Sequence, residues 1–374
     1  MKKKLGLIVN PIAGMGGRVG LKGTDGPEIL RKAKELGARS QAPERAVTAL
    51  KGLLFKKENI VLITYPHEMG ENEARECGFS PIVRGSIKTG ETTSTDTRNA
   101  AREMLRLKVD LLLFAGGDGT ARDIYNVIGD RLPALGIPCG VKIHSAVYTT
   151  SPMNAGELAR LYLDDTLSGI HLIEAEVMDI DESSFRENRL SARLYGYLKI
   201  PYEKKMVQCA KSGGCAGGHA AIEAIACDVT ENMEGDHLYI IGTGTTTKAI
   251  MERLGLRNTL LGVDAVYNKG LIGLDLNEPQ LLNLIEGRKA KIVVGVIGSQ
   301  GFIFGRGNQQ ISARVIRRIG KENIIVLATM EKILTLRGRP LLVDTGDPGV
   351  DRMLTGYTQV VTGFGERIIL RVES

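Results

Sequence analysis

Gly116-Gly117-Asp118-Gly119-Thr120 joins an apolar run to a helical pattern and sets a carboxylate inside a loop suited to phosphate. The run Val109 to Ala115, interrupted by Asp110, reads as a buried strand, and Thr120 to Ile128 reads as a helix with Thr120 as its N-cap. A glycine-rich turn between strand and helix gathers backbone N–H groups at a positive helix end, where a phosphate can be held. Glycine has no Cβ and tolerates positive φ, so the backbone can approach a ligand closely. An aspartate in such a cradle repels phosphate unless it holds a metal or takes a proton from an attacking hydroxyl. Gly116, Gly117, Gly119 and Thr120 therefore read as a phosphate cradle and Asp118 as a general base. The chemistry they point to is phosphoryl transfer. Asp123, on the same helical pattern, is a secondary candidate.

Two further loops could meet phosphate. Asn10 to Gly17 follows the first apolar run, with Asn10 offering an amide, Gly14, Gly16 and Gly17 offering close approach, and Arg18 or Lys22 a charge. Asn, Pro and Gly also make ordinary turns, but the loop continues through Gly20, Gly23 and Gly26, longer than a turn requires. Thr243-Gly244-Thr245-Thr246-Thr247 brings several hydroxyls to a helix start, more than an N-cap needs. Glu176, Asp179 and Asp181, with Glu174, lie at strand-like spacing and could present carboxylates to a metal or ribose; a solvated strand face is the preferred reading for all but Glu176, which is kept as a binding candidate. His144, after a strand end, is a weaker candidate for substrate contact. Gly298 to Gln310, dense in glycine and amides, fits either a binding loop or a structural turn. Cys209, Cys215, His219 and Cys227 do not match the usual zinc spacings, and no metal ligand set is assigned.

The chain has 374 residues, 43% of them hydrophobic and 25% charged, which suits a globular protein of more than one domain. No apolar run approaches the roughly 18–20 residues of a membrane span, and the basic start Met1 to Lys4 precedes too short an apolar stretch for a signal peptide. Five scattered cysteines argue against a disulfide framework. A cytoplasmic protein is expected. The net charge of +6, without a dense Lys/Arg block or any Trp, suits either small anionic substrates or simply a solvated basic surface, rather than nucleic acid.

Strand and helix patterns alternate through the first part: strands at Leu5–Asn10, Ile60–Tyr65, Pro81–Arg84 and Ile137–Val141, with helices near Glu28–Leu36, Glu44–Phe55, His67–Cys77 and Thr95–Leu107. Such alternation predicts a doubly wound parallel sheet that binds ligands at the carboxyl ends of its strands. Ile170–Ile180 and Leu190–Ile200 predict an antiparallel pair, and β-rich sequence with further α/β elements follows to the C-terminus. The expected division is residues 1–145 and 146–374, with the last strands free to return to the first domain.

The Asn-Pro turn after the first strand, Gly116 to Thr120, and Thr243 to Thr247, in that order, resemble the ATP-NAD kinase family, in a superfamily with diacylglycerol, sphingosine and 6-phosphofructokinases. The resemblance implies an α/β N-terminal domain, a β-rich C-terminal domain and assembly as a homodimer or homotetramer. It implies transfer of the γ-phosphoryl group of ATP, with Mg²⁺ or another divalent cation, to the ribose 2′-hydroxyl of NAD, with Asp118 as base and Glu176 and Thr243 to Thr247 at the acceptor. The family's Asn-Glu pair aligns with Ala175-Glu176, and Lys248 follows Thr247 where the family has Tyr. These departures, similar to NAD kinase-like proteins encoded beside acetoin-catabolism genes, leave polyphosphate open as donor and a small polyol or lipid as acceptor. The rival reading is a nucleotide-binding sensor without transfer activity.

Overall fold

Parallel strands are covered on both faces, so they are made from continuous apolar runs. Leu5 to Val9 and Leu111 to Gly116 are buried along their whole length. The computed structural model describes residues 2–21, 27–140, 143–164, 170–180, 192–203, 206–207, 218–297 and 300–374. In chain order the elements are β1 (Lys3–Val9), α1 (Pro27–Glu35), α2 (Ala42–Lys51), β2 (Ile60–Thr64), α3 (Glu71–Glu76), β3 (Ile82–Val83), α4 (Ser94–Arg106), β4 (Leu111–Gly116), α5 (Asp118–Ile128), β5 (Ala134–Pro138), α6 (Pro152–Leu163), β6 (His171–Ile180) and β7 (Ala192–Tyr202). They continue with α7 (Gly218–Glu231), β8 (His237–Ile241), α8 (Thr245–Arg253), β9 (Asp264–Tyr267), β10 (Gly270–Gly273), α9 (Glu278–Ile285), β11 (Lys289–Gly295), β12 (Phe302–Phe304), α10 (Ala313–Ile319), β13 (Ile324–Leu327), α11 (Met330–Thr335), β14 (Leu341–Val343), α12 (Pro348–Leu354), β15 (Gly356–Gly363) and β16 (Glu366–Glu373).

The chain forms two compact units. The first comprises Met1–Met15, Arg39–Phe185 and Arg189–Ala210, and the second comprises Gly16–Ala38, Arg186–Asn188 and Lys211–Ser374. The first is the expected α/β unit. Its five strands are all parallel in the order β3-β2-β1-β4-β5, which puts the topological switch between β1 and β4. Asn10 and the Gly116–Thr120 turn leave the sheet at that switch. Residue 146 falls inside this unit: Tyr148 bridges to Gly136, and the antiparallel β6–β7 pair packs on α5 and β5.

Three local expectations are corrected. α5 begins at Asp118, because Gly117 takes the extended N-cap conformation (φ −118°, ψ −170°) expected of Thr120. β5 ends at Pro138 rather than Val141, because its last partner, Gly116, closes β4. The helix expected over His67–Cys77 splits at Gly70, whose φ of +130° separates a 3₁₀ turn from α3.

Glu73 in α3 is 4% exposed. Burial pushes its pKa up to about 7, with Glu76 and Glu68 adding to the rise and the N–H groups of Glu73 and Gly70 opposing it. An acid whose pKa rises on folding stabilises the fold below its unfolded value and loses that contribution as pH rises through the folded value. Stability should therefore fall between pH 4.5 and about 7 by something on the order of 3 kcal/mol. Glu73→Gln should remove that slope, matching the wild type at pH 4.5 and exceeding it at pH 8 in urea denaturation. Equal stabilities at pH 8 would contradict this account.

The second unit is built on a nine-stranded mixed sheet, β10-β9-β8-β11-β13-β15-β16-β14-β12, interleaved with helices. β8, β11, β13 and β15 run parallel, and β16 turns back antiparallel to β15. The last strands thus belong to this sheet. No helix among the described residues is long and apolar enough to cross a membrane.

Candidate active site

Asp118 sits in the first turn of α5 and is 7% exposed. Its Oδ2 accepts from the His144 backbone N–H at 2.7 Å, and its Oδ1 from the Ser145 N–H at 3.0 Å. His144 Nδ1 lies 3.3 Å from the same Oδ2. Two backbone donors thus fix the orientation of the carboxylate, and β6 holds the segment that supplies them. Ser145 Oγ donates to the Met178 carbonyl and accepts from the Met178 N–H, while the Ala146 N–H bonds to the Glu176 carbonyl. Glu176, half-buried and opposite Tyr197 of β7, is thereby tied through its backbone to the chain that grips Asp118. Ala175 beside it is buried.

The turn before Asp118 has no room for side chains. A Cβ on Gly116 would lie 2.4 Å from Thr120 Cβ, and one on Gly117 would lie 3.1 Å from Gly140 Cα. Below it, Tyr148 donates its hydroxyl to the Gly117 carbonyl at 2.5 Å, with its ring edge-on to Phe114. Burial first, and then the nearby Asp118, push the Tyr148 pKa well above its ordinary value, so the phenol stays a donor. The first N–H groups of an α-helix have no intrahelical acceptor, and here they open beside a bare glycine turn. Asn10 completes the corner: its N–H bonds to the Ala115 carbonyl, and its Nδ2 donates to Thr120 Oγ1 at 2.9 Å. Thr120, accepting from Asn10, keeps its own proton to donate. Gly14, at φ +79°, approaches Cys139 so closely that a Cβ there would be 2.3 Å from its carbonyl oxygen.

The first unit therefore brings Asn10, Gly14, Gly116 to Thr120, Asp118, His144 and the Glu176 backbone to one strand-end corner. Asp123 points elsewhere, to Arg98 of α4 at 3.1 Å. Asp179, expected on a solvated face, is an ion-pair partner of Arg122 and largely buried. Sequence reading missed Ser145, Tyr148 and the buried Arg45, whose Nη1 donates to the Pro138 carbonyl at 2.8 Å. None of the three stands in a recognisable motif.

In the second unit Gly16 and Gly17 lie in turns, and a Cβ on Gly17 would press on Gln309 at 3.0 Å. Arg18 is exposed, and Lys22, Gly23 and Gly26 lie outside the described residues. Gly244, at φ +122°, is the N-cap of α8 and supplies no side-chain cap. Thr246 and Thr247 are buried, Thr245 is exposed, and Thr243 Oγ1 donates to the Gly307 carbonyl at 3.2 Å. The described part of the Gly298–Gln310 segment is a self-tied turn. Asn308 bridges Gly305 and Ile303, Gln309 bonds to Gly305, and Arg306 pairs with Asp344 at 3.0 Å.

Among the described residues no group of three or more His, Cys, Asp or Glu side chains could hold a metal. The Gly116–Gly117 turn leads into the N-terminal end of α5, whose free N–H groups suit a phosphate, and a magnesium ion arriving on a nucleotide needs only phosphate oxygens, waters and one or two carboxylates. Asp181, Cys209 and Cys215 lie outside the described residues; Cys77, Cys139 and Cys227 are free thiols, and the Cys227 Sγ lies 3.1 Å from Glu231 Oε1.

Residues 5–167 match the model of the ATP-NAD kinase N-terminal domain, and residues 235–372 match that of the ATP-NAD kinase C-terminal domain. A search of curated proteins returns no significant match. Among solved structures the chain is similar to a diacylglycerol kinase from Bacillus anthracis str. Sterne, with 20% identity over 48% of this chain and 46% of that one, at a TM-score of 0.23. It is also similar to a UDP-N-acetylglucosamine 2-epimerase, with 11% identity over 95% of this chain and 72% of that one, at a TM-score of 0.25. The chain thus spans less than half the length of the diacylglycerol kinase.

Proposed function

The chain belongs to the ATP-NAD kinase family, and from that premise we propose that it transfers a γ-phosphoryl group from ATP to the ribose 2′-hydroxyl of NAD. The observation that carries this reading is Asp118, oriented by two backbone N–H groups at the mouth of a turn with no room for a Cβ. Gly116, Gly117, Gly119 and Thr120, with Asn10 and Gly14, would hold the phosphates. The acceptor hydroxyl would attack the γ-phosphorus as the bond to the bridging β-oxygen breaks. Asp118 would take the hydroxyl proton, and ADP would leave. Magnesium carried on the nucleotide would supply charge neutralisation for the oxygens in flight. The chain's own contribution is position: a fixed base and a fixed phosphate, which together convert a bimolecular encounter into an oriented one. Glu176 would meet the acceptor.

The test is a matrix of donors, ATP and polyphosphate, against acceptors, NAD, NADH and small polyols, with the phosphorylated product read by mass spectrometry. The proposal expects a singly phosphorylated NAD from ATP. Product from a polyol alone would move the acceptor assignment, and tight NAD binding with no product would favour a sensor.

A further inference from the structure

His237 and Lys289 are paired in register and open β8 and β11, so they mark the amino ends of these parallel strands. A cavity of about 440 Å³ lies at that end, within the size range of small-molecule sites. Arg288, Lys289 and Arg318 line it together with His237 and Asn323, and among the described residues no carboxylate does. Basic residues also gather at helix C-termini, where they meet the negative end of the dipole. α9 ends at Ile285 and α10 at Ile319, and both residues line this cavity. A helix end carries at most roughly half a negative charge, so the two offset about one of the three cations. Two of the last-turn carbonyls already have donors. Arg288 Nη1 donates to the Leu284 carbonyl at 2.7 Å, and Asn323 Nδ2 to that of Ile319 at 2.8 Å. Helix capping therefore leaves most of the positive charge unmatched. Among the described residues no carboxylate forms an ion pair with Arg288, Lys289 or Arg318. Glu234 acts on Lys289 through space, but Lys291 Nζ donates to it and His237 Nε2 lies 3.4 Å from its Oε2. A concave surface lined by one sign of charge focuses its field and concentrates counter-ions.

We propose that this cavity binds a compact oxyanion carrying two or more negative charges, an organic phosphate or a polycarboxylate. Arg288 and Arg318 would grip the oxygens, because the guanidinium fork matches the planar spacing of oxyanion acceptors. Lys289 would add charge as a mobile third donor. The site is built from the second unit alone and stands whether or not the reaction proposed above does.

The test is calorimetric titration of the full chain with inorganic pyrophosphate and with citrate, in magnesium-free buffer at an ionic strength held constant with sodium chloride. At least one of the two should bind saturably, with a Kd of about 1 mM or tighter. Pyrophosphate alone would point to an organic phosphate, and citrate alone to a polycarboxylate. Arg318→Gln should weaken that binding about tenfold to a hundredfold, the size of a charged hydrogen bond, and Arg288→Gln likewise. Both arginines are exposed, so the melting temperature without ligand should change little. Absence of saturable binding to the wild type overturns the proposal. Binding that both arginine variants retain but Gly116→Ala loses overturns it too, because the anion then sits in the glycine turn.

Discussion

Asp118→Asn should lower kcat by about a hundredfold to ten-thousandfold, the range general-base groups supply. The side chain is nearly isosteric, so the phosphate cradle keeps its shape, and affinity for a non-hydrolysable ATP analogue should change little. Stability should fall modestly. Asp118 accepts from both His144 and Ser145, whereas asparagine has one acceptor oxygen and must turn its NH₂ toward one of those N–H groups. Leaving one buried donor unmet costs about 1–3 kcal/mol. The signature is therefore a large kcat loss with a small loss in melting temperature and intact nucleotide binding. Undiminished turnover in a folded Asp118→Asn protein would remove Asp118 from the chemistry.

Gly116→Ala is expected to act through space alone. The new methyl would lie 2.4 Å, 2.5 Å and 2.6 Å from Thr120 Cβ, Oγ1 and Cγ2, so the first turn of α5 must shift. Thr120 cannot move without straining its bond to Asn10 Nδ2, which joins the end of β1 to that turn. Overpacking of this kind costs about 1–3 kcal/mol. Because the shift falls on the amides that would face phosphate, affinity for the ATP analogue should drop by more than tenfold, while NAD affinity changes far less. A variant with wild-type melting temperature and ATP-analogue affinity would show that the turn tolerates a Cβ and that its glycines are not a phosphate cradle.

Much of this corner was legible because its signals are local. A parallel strand covered on both faces must be a run such as Leu111 to Ala115, and an acid among glycines at its end has few structural uses. The helix start was misread for a local reason as well: Thr120 is a good cap by type, but the extended backbone at Gly117 takes that place. What escaped was everything set by distant partners. Asp179 looked like a solvated strand residue until folding brought Arg122, 57 positions away, against it. Tyr148 and Ser145 gain their roles only because the segment they share is laid between the Asp118 turn and β6. Lys332 meets Thr246 across 86 positions, and no spacing in the sequence announces it.

On the proposed reading this corner moves a phosphoryl group from nucleotide to a ribose hydroxyl with Asp118 as base. That reading is tested most directly by incubating the full chain with magnesium, NAD and ATP labelled in its γ-phosphoryl group, and following the label by chromatography and mass spectrometry. The predicted result is label in a phosphorylated NAD bearing it on the ribose 2′-oxygen, formed by the wild type and lost in Asp118→Asn. Label that stays in ATP, or appears only as inorganic phosphate at equal rates in both proteins, would contradict it.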